Sequence, residues 1–129
     1  VEAMIRQAYQ SDALQFRASA LCAIGRTCNS DWLSILLQEL GSSSAQLRFE
    51  AARACAELEA DDAVPKLIEL TRDDDAQVRL AAVEALGRLG GNEAKQALPE
   101  CRDGLDDAMS EAAEDALDEM KFWEDPFAI

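Results

Sequence analysis

The sequence repeats itself at a fixed interval of 31 residues, and a period of that length predicts stacked supersecondary units rather than one irregular core. QFRASALCAIGR from Gln15, QLRFEAARACAEL from Gln46, QVRLAAVEALGRL from Gln77 and AMSEAAEDALDEM from Ala108 superpose without a gap. In this register Phe16, Leu47, Val78 and Met109 share one column, and Arg17, Arg48, Arg79 and Ser110 the next. Three further columns hold Ala20, Ala51, Ala82 and Ala113; Ala23, Ala54, Ala85 and Ala116; and Ile24, Cys55, Leu86 and Leu117. Apolar columns at relative positions 0, 4, 7 and 8 form one stripe of an α-helix. Alanines recur on that stripe where a neighbouring helix must approach closely.

A second helix alternates with the first, read in DWLSILLQEL from Asp31, DAVPKLIELTR from Asp62 and NEAKQALPECR from Asn92. Asp31, Asp62 and Asn92 are expected to cap its N-terminus by accepting free N–H groups. Leu36, Leu67 and Leu98 mark its buried face, and the opening EAMIRQAYQ continues the series through Ile5. Polar turns at 10–12, 41–44, 72–75 and 103–107 separate the two helices of each pair. The chain therefore reads as a single all-α domain over 1–129, an α-solenoid of four helical hairpins at about 1–27, 28–59, 60–90 and 91–123. An acidic cap and tail occupy 107–129. Pro99, which has no N–H to give the carbonyl four residues back, predicts a helix that is kinked there or starts late, near Ala97. Met120, Phe122, Trp123 and Phe127, with Pro126 as a stop, are expected to fold back over the end of the core.

Charge narrows the function. The chain has 26 acidic and 12 basic residues and no histidine, a net charge of −14. It repels phosphate backbones and anionic lipid, so nucleic-acid and membrane-surface binding are not expected. Without histidine the commonest general base and metal ligand are missing, and no catalytic residue, metal ligand or cofactor is assigned. The longest apolar runs fall well short of the 18 or more residues a membrane span needs. Cys22, Cys28, Cys55 and Cys101 form no Cys-x-x-Cys pair, and three of them sit among alanines on helical stripes. A reducing, cytoplasmic setting is expected, with Cys28 as the one exposed thiol. The start at Val1, already in helical rhythm, reads as a processed start or a piece of a longer protein.

The unit DDAQVRLAAVEALGRLGGNEAKQAL, Asp74 through Leu98, resembles the HEAT-like repeat of the phycobilisome-lyase type. The resemblance implies that the helix carrying the arginine column lines the concave face and the other helix the convex face. Repeats of this kind occur in bilin lyase subunits, in iron-dependent hydroxylases and in scaffolds. The hydroxylases hold iron with histidine-glutamate pairs, which this histidine-free chain cannot supply. The arginine column ends at Ser110, and the same helix carries Glu111, Glu114, Asp115, Asp118 and Glu119, the pattern of a polar terminal repeat.

Family geometry implies that Arg17, Arg48 and Arg79 are structural, bonding within the hairpin or to turn carboxylates such as Asp74 or Asp75. The turn ahead of Arg48 offers only Gly41 and serines, so Arg48 is expected to be the free member. On the exposed side, Arg26, Glu57, Arg88 and Glu119 alternate in sign at the 31-residue step, and Arg53 stands beside Glu84. These predict a lattice of mutually compensated charges. Phe49 and Leu80, one period apart beside that lattice, form the candidate anchor of a protein-binding groove with Arg48, Arg53 and Glu84. The acidic clusters at Asp73–Asp75 and Asp103–Asp107 lack the spaced loop of a calcium site. The expected function is a monomeric, non-enzymatic scaffold that binds another protein through its concave face, with a bilin lyase subunit or related modifying enzyme as the alternative. Residues 91–129 carry −9 against +1 for 1–27, which favours a basic partner near the C-terminal end.

Overall fold

The computed structural model describes residues 2–104 and 106–124, the side chain of Trp123 excepted. Among them are eight α-helices and no strand: α1 (Glu2–Tyr9), α2 (Leu14–Gly25), α3 (Leu33–Glu39), α4 (Ala45–Glu57), α5 (Val64–Leu70), α6 (Ala76–Leu89), α7 (Asn92–Arg102) and α8 (Asp107–Glu124). They form four antiparallel hairpins, α1 with α2 through α7 with α8, stacked in order as an α-solenoid. The long helices α2, α4, α6 and α8 pack closely side by side, whereas in the other layer only α5 and α7 meet substantially. This tighter layer, α2, α4, α6 and α8, carries the arginine column and is the one that the HEAT-like resemblance implies to be concave.

The buried columns follow the 31-residue step. Ile5, Leu36, Leu67 and Leu98 are buried on the outer helices, and Ala20, Ala51, Ala82 and Ala113 on the inner ones. No hairpin could bury these stripes alone, so the core is continuous from hairpin to hairpin. The end is different. Phe16 heads the column of Leu47, Val78 and Met109, yet it is 61% exposed where they are 1%, 0% and 5% exposed.

Helix starts depart from expectation. Asp31 and Asp62 lie inside short 3-10 turns, Ser30–Trp32 and Asp61–Ala63, and Asn29 supplies the first of these caps by accepting from the Asp31 N–H. Asn92 is already helical after Gly91. Three of the inner helices are capped by side chains as well: Ser44 accepts from the Leu47 N–H, Asp75 from Gln77 and Val78, and Asp106 from Ala108 and Met109. These three caps are 31 residues apart. Nor does Pro99 delay α7, which starts at Asn92 and carries the proline in its interior. Helix α8 runs on to Glu124, so Met120 and Phe122 belong to that helix, Met120 buried and Phe122 exposed. The Trp123 side chain, Pro126 and Phe127 lie outside the described residues.

Another 31-residue column reverses the chain after α2, α4 and α6: Cys28, Glu59 and Gly90, with φ of 55°, 55° and 70°. Gly90, with ψ of −156°, sits in a region open essentially to glycine alone, whereas Cys28 and Glu59 hold a positive φ with a Cβ in place. Glu59→Gly is expected to stabilise the protein by up to about 1 kcal/mol, the left-handed penalty less the extra backbone entropy of glycine. A higher urea midpoint at unchanged slope is the check.

Candidate functional site

The arginine column lies along the turn edge of the solenoid. Arg48 is its most tightly held member, not its free one. Its Nε and Nη2 donate to both carboxylate oxygens of Asp73 at 2.9 and 3.0 Å, and its Nη1 donates to the Ser42 carbonyl at 2.8 Å. The pair is mostly buried, with side chains 18% and 10% exposed. Burial alone would raise the Asp73 carboxyl. The Arg48 hydrogen bonds, the Asp75 N–H and the charges of Arg48 and Arg79 outweigh that and hold it below the usual carboxylate value. Arg79 repeats the arrangement one hairpin on, donating to the Asp73 and Asp74 carbonyls and pairing with Asp106 at 3.5 Å. Ser110 takes the fourth position and donates to the Arg102 carbonyl.

At the first hairpin the partner is a residue that periodicity did not mark. Glu39 is buried on α3, accepts from the Tyr9 hydroxyl at 2.6 Å and pairs with Arg17 at 3.5 Å. Arg17 also lies over the Tyr9 ring at 5.8 Å. Burial, then the Glu39 hydrogen bond and charge, push the Tyr9 hydroxyl up to about 12. These contacts tie hairpin one to hairpin two, as Arg48 and Asp73 tie two to three.

The concave face presents the opposite picture. Arg26 just past α2, and Arg53, Glu84, Arg88 and Glu119 on α4, α6 and α8, are exposed, and Glu57 is half-exposed. None of them closes an ion pair within 4.0 Å among the described residues, so the expected compensated lattice does not form as contacts. Arg53 instead covers the Phe49 ring at 5.5 Å. A groove of about 500 Å³ runs between Arg53, Glu57, Glu84, Arg88 and Glu119, floored by alanines including Ala56 and Ala85. A second groove, of about 340 Å³, continues past Leu80 and Glu84 towards Asp115. Of the five groove residues read from sequence, Arg53, Leu80 and Glu84 thus line neighbouring concavities and Phe49 lies half-buried under Arg53. Arg48 is turned away to Asp73.

The acidic turns are occupied by the fold itself: Asp73 by Arg48, Asp75 by the start of α6, and Asp106 by Arg79 and the start of α8. Among the described residues no three Cys, Asp or Glu side chains converge in a way that could hold a metal ion. Cys55 is buried and its thiol is pushed up to about 12 by that burial, which makes it inert packing. Cys28 is exposed. No helix among the described residues is long and apolar enough to cross a membrane.

A ladder of hairpins with ion pairs along one edge and an open charged face along another defines a helical-repeat protein of the α-solenoid class. The chain belongs to the HEAT repeat family, whose repeats match residues 33–118, two thirds of its length. Among solved structures it is similar to the complex of CpcE and CpcF of phycocyanin lyase from Nostoc sp. PCC7120, at 28% identity and a TM-score of 0.79, over 92% of this chain and 52% of that one. It is also similar to human deoxyhypusine hydroxylase in complex with glycerol, at 24% identity and a TM-score of 0.78, over 93% of this chain and 43% of that one. The likeness to the hydroxylase is one of fold. The chain spans about half the length of both proteins. No curated protein matches it by sequence. The resemblance read from Asp74 to Leu98 therefore holds: the repeat is of the type found in a phycobilisome lyase.

Proposed function

We propose that the protein is a non-enzymatic scaffold or adaptor that binds another protein through the concave face of α2, α4, α6 and α8. One observation carries this reading. The arginines along the turn edge are all paired, while Arg26, Arg53, Glu57, Glu84, Arg88 and Glu119 on the opposite face have no ion-pair partner among the described residues. Charges needed only for stacking would be satisfied inside the fold; these are left for a ligand that alternates in sign along the groove. Leu80, and Phe49 once Arg53 swings off its ring, supply apolar contact at the centre. The excess of acid from residue 91 onward, net −9, favours a basic segment at the α8 end of that ligand.

The test is comparative affinity capture from native lysate. Wild type, the double variant Phe49→Ala with Leu80→Glu, and a convex-face control, Glu69→Lys, are run side by side. Proteins held by wild type and the control are expected to fall at least tenfold with the double variant, the effect of losing about 1.4 kcal/mol or more of anchor contact. Equal capture by all three removes the concave assignment.

The likeness to the CpcE and CpcF complex favours a second reading, a subunit of a bilin lyase or related modifying enzyme. Mixing the protein with free bilin and an apo-phycobiliprotein distinguishes the two. The scaffold reading expects no absorbance change beyond that of the unassisted mixture, and a lyase subunit expects faster formation of the red-shifted adduct.

A further inference from the structure

The stacking of hairpin two on three and that of three on four can be compared position by position at the 31-residue step, and along the turn edge they differ. Where the first has Lys66, Leu70 and Asp73, the second has Ala97, Cys101 and Gly104. Each change removes side-chain volume. The backbone keeps its course: the Gly104 N–H donates to the Cys101 carbonyl as the Asp73 N–H does to that of Leu70, and Asp106 caps α8 as Asp75 caps α6. The arginine is kept too, and Arg79 Nη1 donates to the Asp73 carbonyl as Arg48 Nη1 does to that of Ser42. The other edge of the guanidinium differs. In Arg48 both Nε and Nη2 hold the Asp73 carboxylate, whereas in Arg79 Nη2 reaches Asp106 only at 3.5 Å and Nε has no acceptor among the described residues. The trimmed positions border a cavity of about 260 Å³ that Arg79 lines, with Ile68, Ala97 and Met109 as its apolar wall.

We infer that this cavity is a binding site for a small aliphatic monocarboxylate, its carboxylate on the Nε–Nη2 edge of Arg79 as Asp73 is on that of Arg48, its stem against Ile68, Ala97 and Met109. A planar carboxylate is the group this edge already binds one repeat earlier, and the fork geometry of a guanidinium suits it. The apolar wall selects a ligand with a hydrocarbon stem over inorganic phosphate or sulfate. The other charges at the cavity are engaged: Arg72 and Glu100 pair at 3.2 Å, and Asp106 accepts from the Ala108 and Met109 N–H groups. With two arginines and two carboxylates the lining is neutral, which suits a ligand of single charge. Burial pushes the Cys101 thiol above its ordinary value, so no thiolate opposes the anion. This site lies on the turn edge and does not depend on the concave face.

The probe is sodium hexanoate, titrated into the full chain against matched sodium chloride and followed by NMR at the backbone amides and the Arg79 Nε–H. Saturable shifts are expected at Cys101, Gly104 and the Arg79 Nε–H. Hexanamide, the uncharged counterpart, is expected to bind at least tenfold more weakly, and acetate, which lacks the stem, to bind more weakly as well. Gly104→Asp places the chain's own carboxylate where Asp73 stands one repeat earlier, and is expected to weaken hexanoate at least tenfold. Gly104→Ala is the control. A Cβ there meets only the Cys101 and Glu100 carbonyls, at 3.5 and 3.7 Å, which is ordinary contact, so this variant should fold and bind hexanoate as the wild type does. The absence of a saturable shift, equal affinity for hexanamide, or binding that Gly104→Asp leaves intact overturns the proposal. So do shifts of equal size at Arg26, Arg53 and Arg88, which would mean general attraction of anions to exposed arginines.

Discussion

Gly87→Leu is expected to destabilise the protein by about 3 kcal/mol or more and to lower the urea midpoint sharply. At Gly87 even a single added carbon would lie 2.5 Å from the Ala116 Cβ and 3.1 Å from its Cα. The obstacle is the backbone of α8, which cannot move aside as a flexible side chain would, so α6 and α8 would have to separate along their length. Gly87→Ala shares the clash and should also destabilise, although alanine favours an isolated helix by about 1 kcal/mol over glycine. Gly41→Ala is the control. There the added carbon meets only the Gln38 carbonyl at 3.6 Å, and the midpoint should hardly change. If Gly87→Leu were tolerated as well as Gly41→Ala, the close stacking of the last two hairpins would be wrong.

Arg48→Ala is expected to cost about 3–5 kcal/mol, because it leaves the Asp73 carboxylate mostly buried without its partner. Removing both charges with shape-matched apolar residues, as in Arg48→Met with Asp73→Leu, should recover much of the loss, apart from the turn contacts that Asp73 also makes. Chemical denaturation of the three variants measures this directly. The exposed pair Arg72–Glu100, with side chains 78% and 75% exposed, should by contrast contribute about 0–0.5 kcal/mol. The Asp73 pair also sets a pH dependence. Its folded carboxyl is held below the ordinary value, so the unfolded chain binds the proton first as pH falls. The stabilisation is complete above the unfolded carboxylate value of about 4 and is lost as pH drops below it through the folded value. Arg48→Ala should flatten that acid limb. At the alkaline end Tyr9 acts in the other direction. Its hydroxyl ionises only near 12 in the folded chain, so stability falls as pH rises from about 10, where the unfolded tyrosine ionises, towards about 12.

Much of the fold was legible because one spacing recurs four times: the columns of Ile5 and of Ala20 name the core of both helical layers before any coordinate is seen. What periodicity could not show is whatever differs between repeats. Arg48 finds Asp73 25 residues on, but the equivalent positions for Arg17 and Arg79 are Ser42 and Gly104, so the pairing has no column to reveal it. Glu39 stands in a column with Ala8, Leu70 and Cys101, where a buried carboxylate has no precedent in the neighbouring repeats. The cap series of Ser44, Asp75 and Asp106 was a readable signal that the acidic starts at Asp31 and Asp62 obscured. Phe16 follows its column in sequence but not in exposure, since burial in a solenoid depends on having a neighbour. The concave residues Arg53, Leu80 and Glu84 were visible as a surface, but compensation between charges four residues or one repeat apart was not realised. Spacing permits such a contact; the side-chain rotamers decide whether it forms.

Site-specific photo-crosslinking in native lysate tests the central claim, that the concave face is the binding surface, most directly. A photoreactive residue is placed at Glu84 in the groove and, separately, at Glu69 on α5 in the outer layer. The account predicts a discrete crosslinked protein from position 84 that is absent from position 69 and lost when Phe49→Ala and Leu80→Glu are added. Crosslinks from position 69 alone, or crosslinks from position 84 that survive those substitutions, would contradict it.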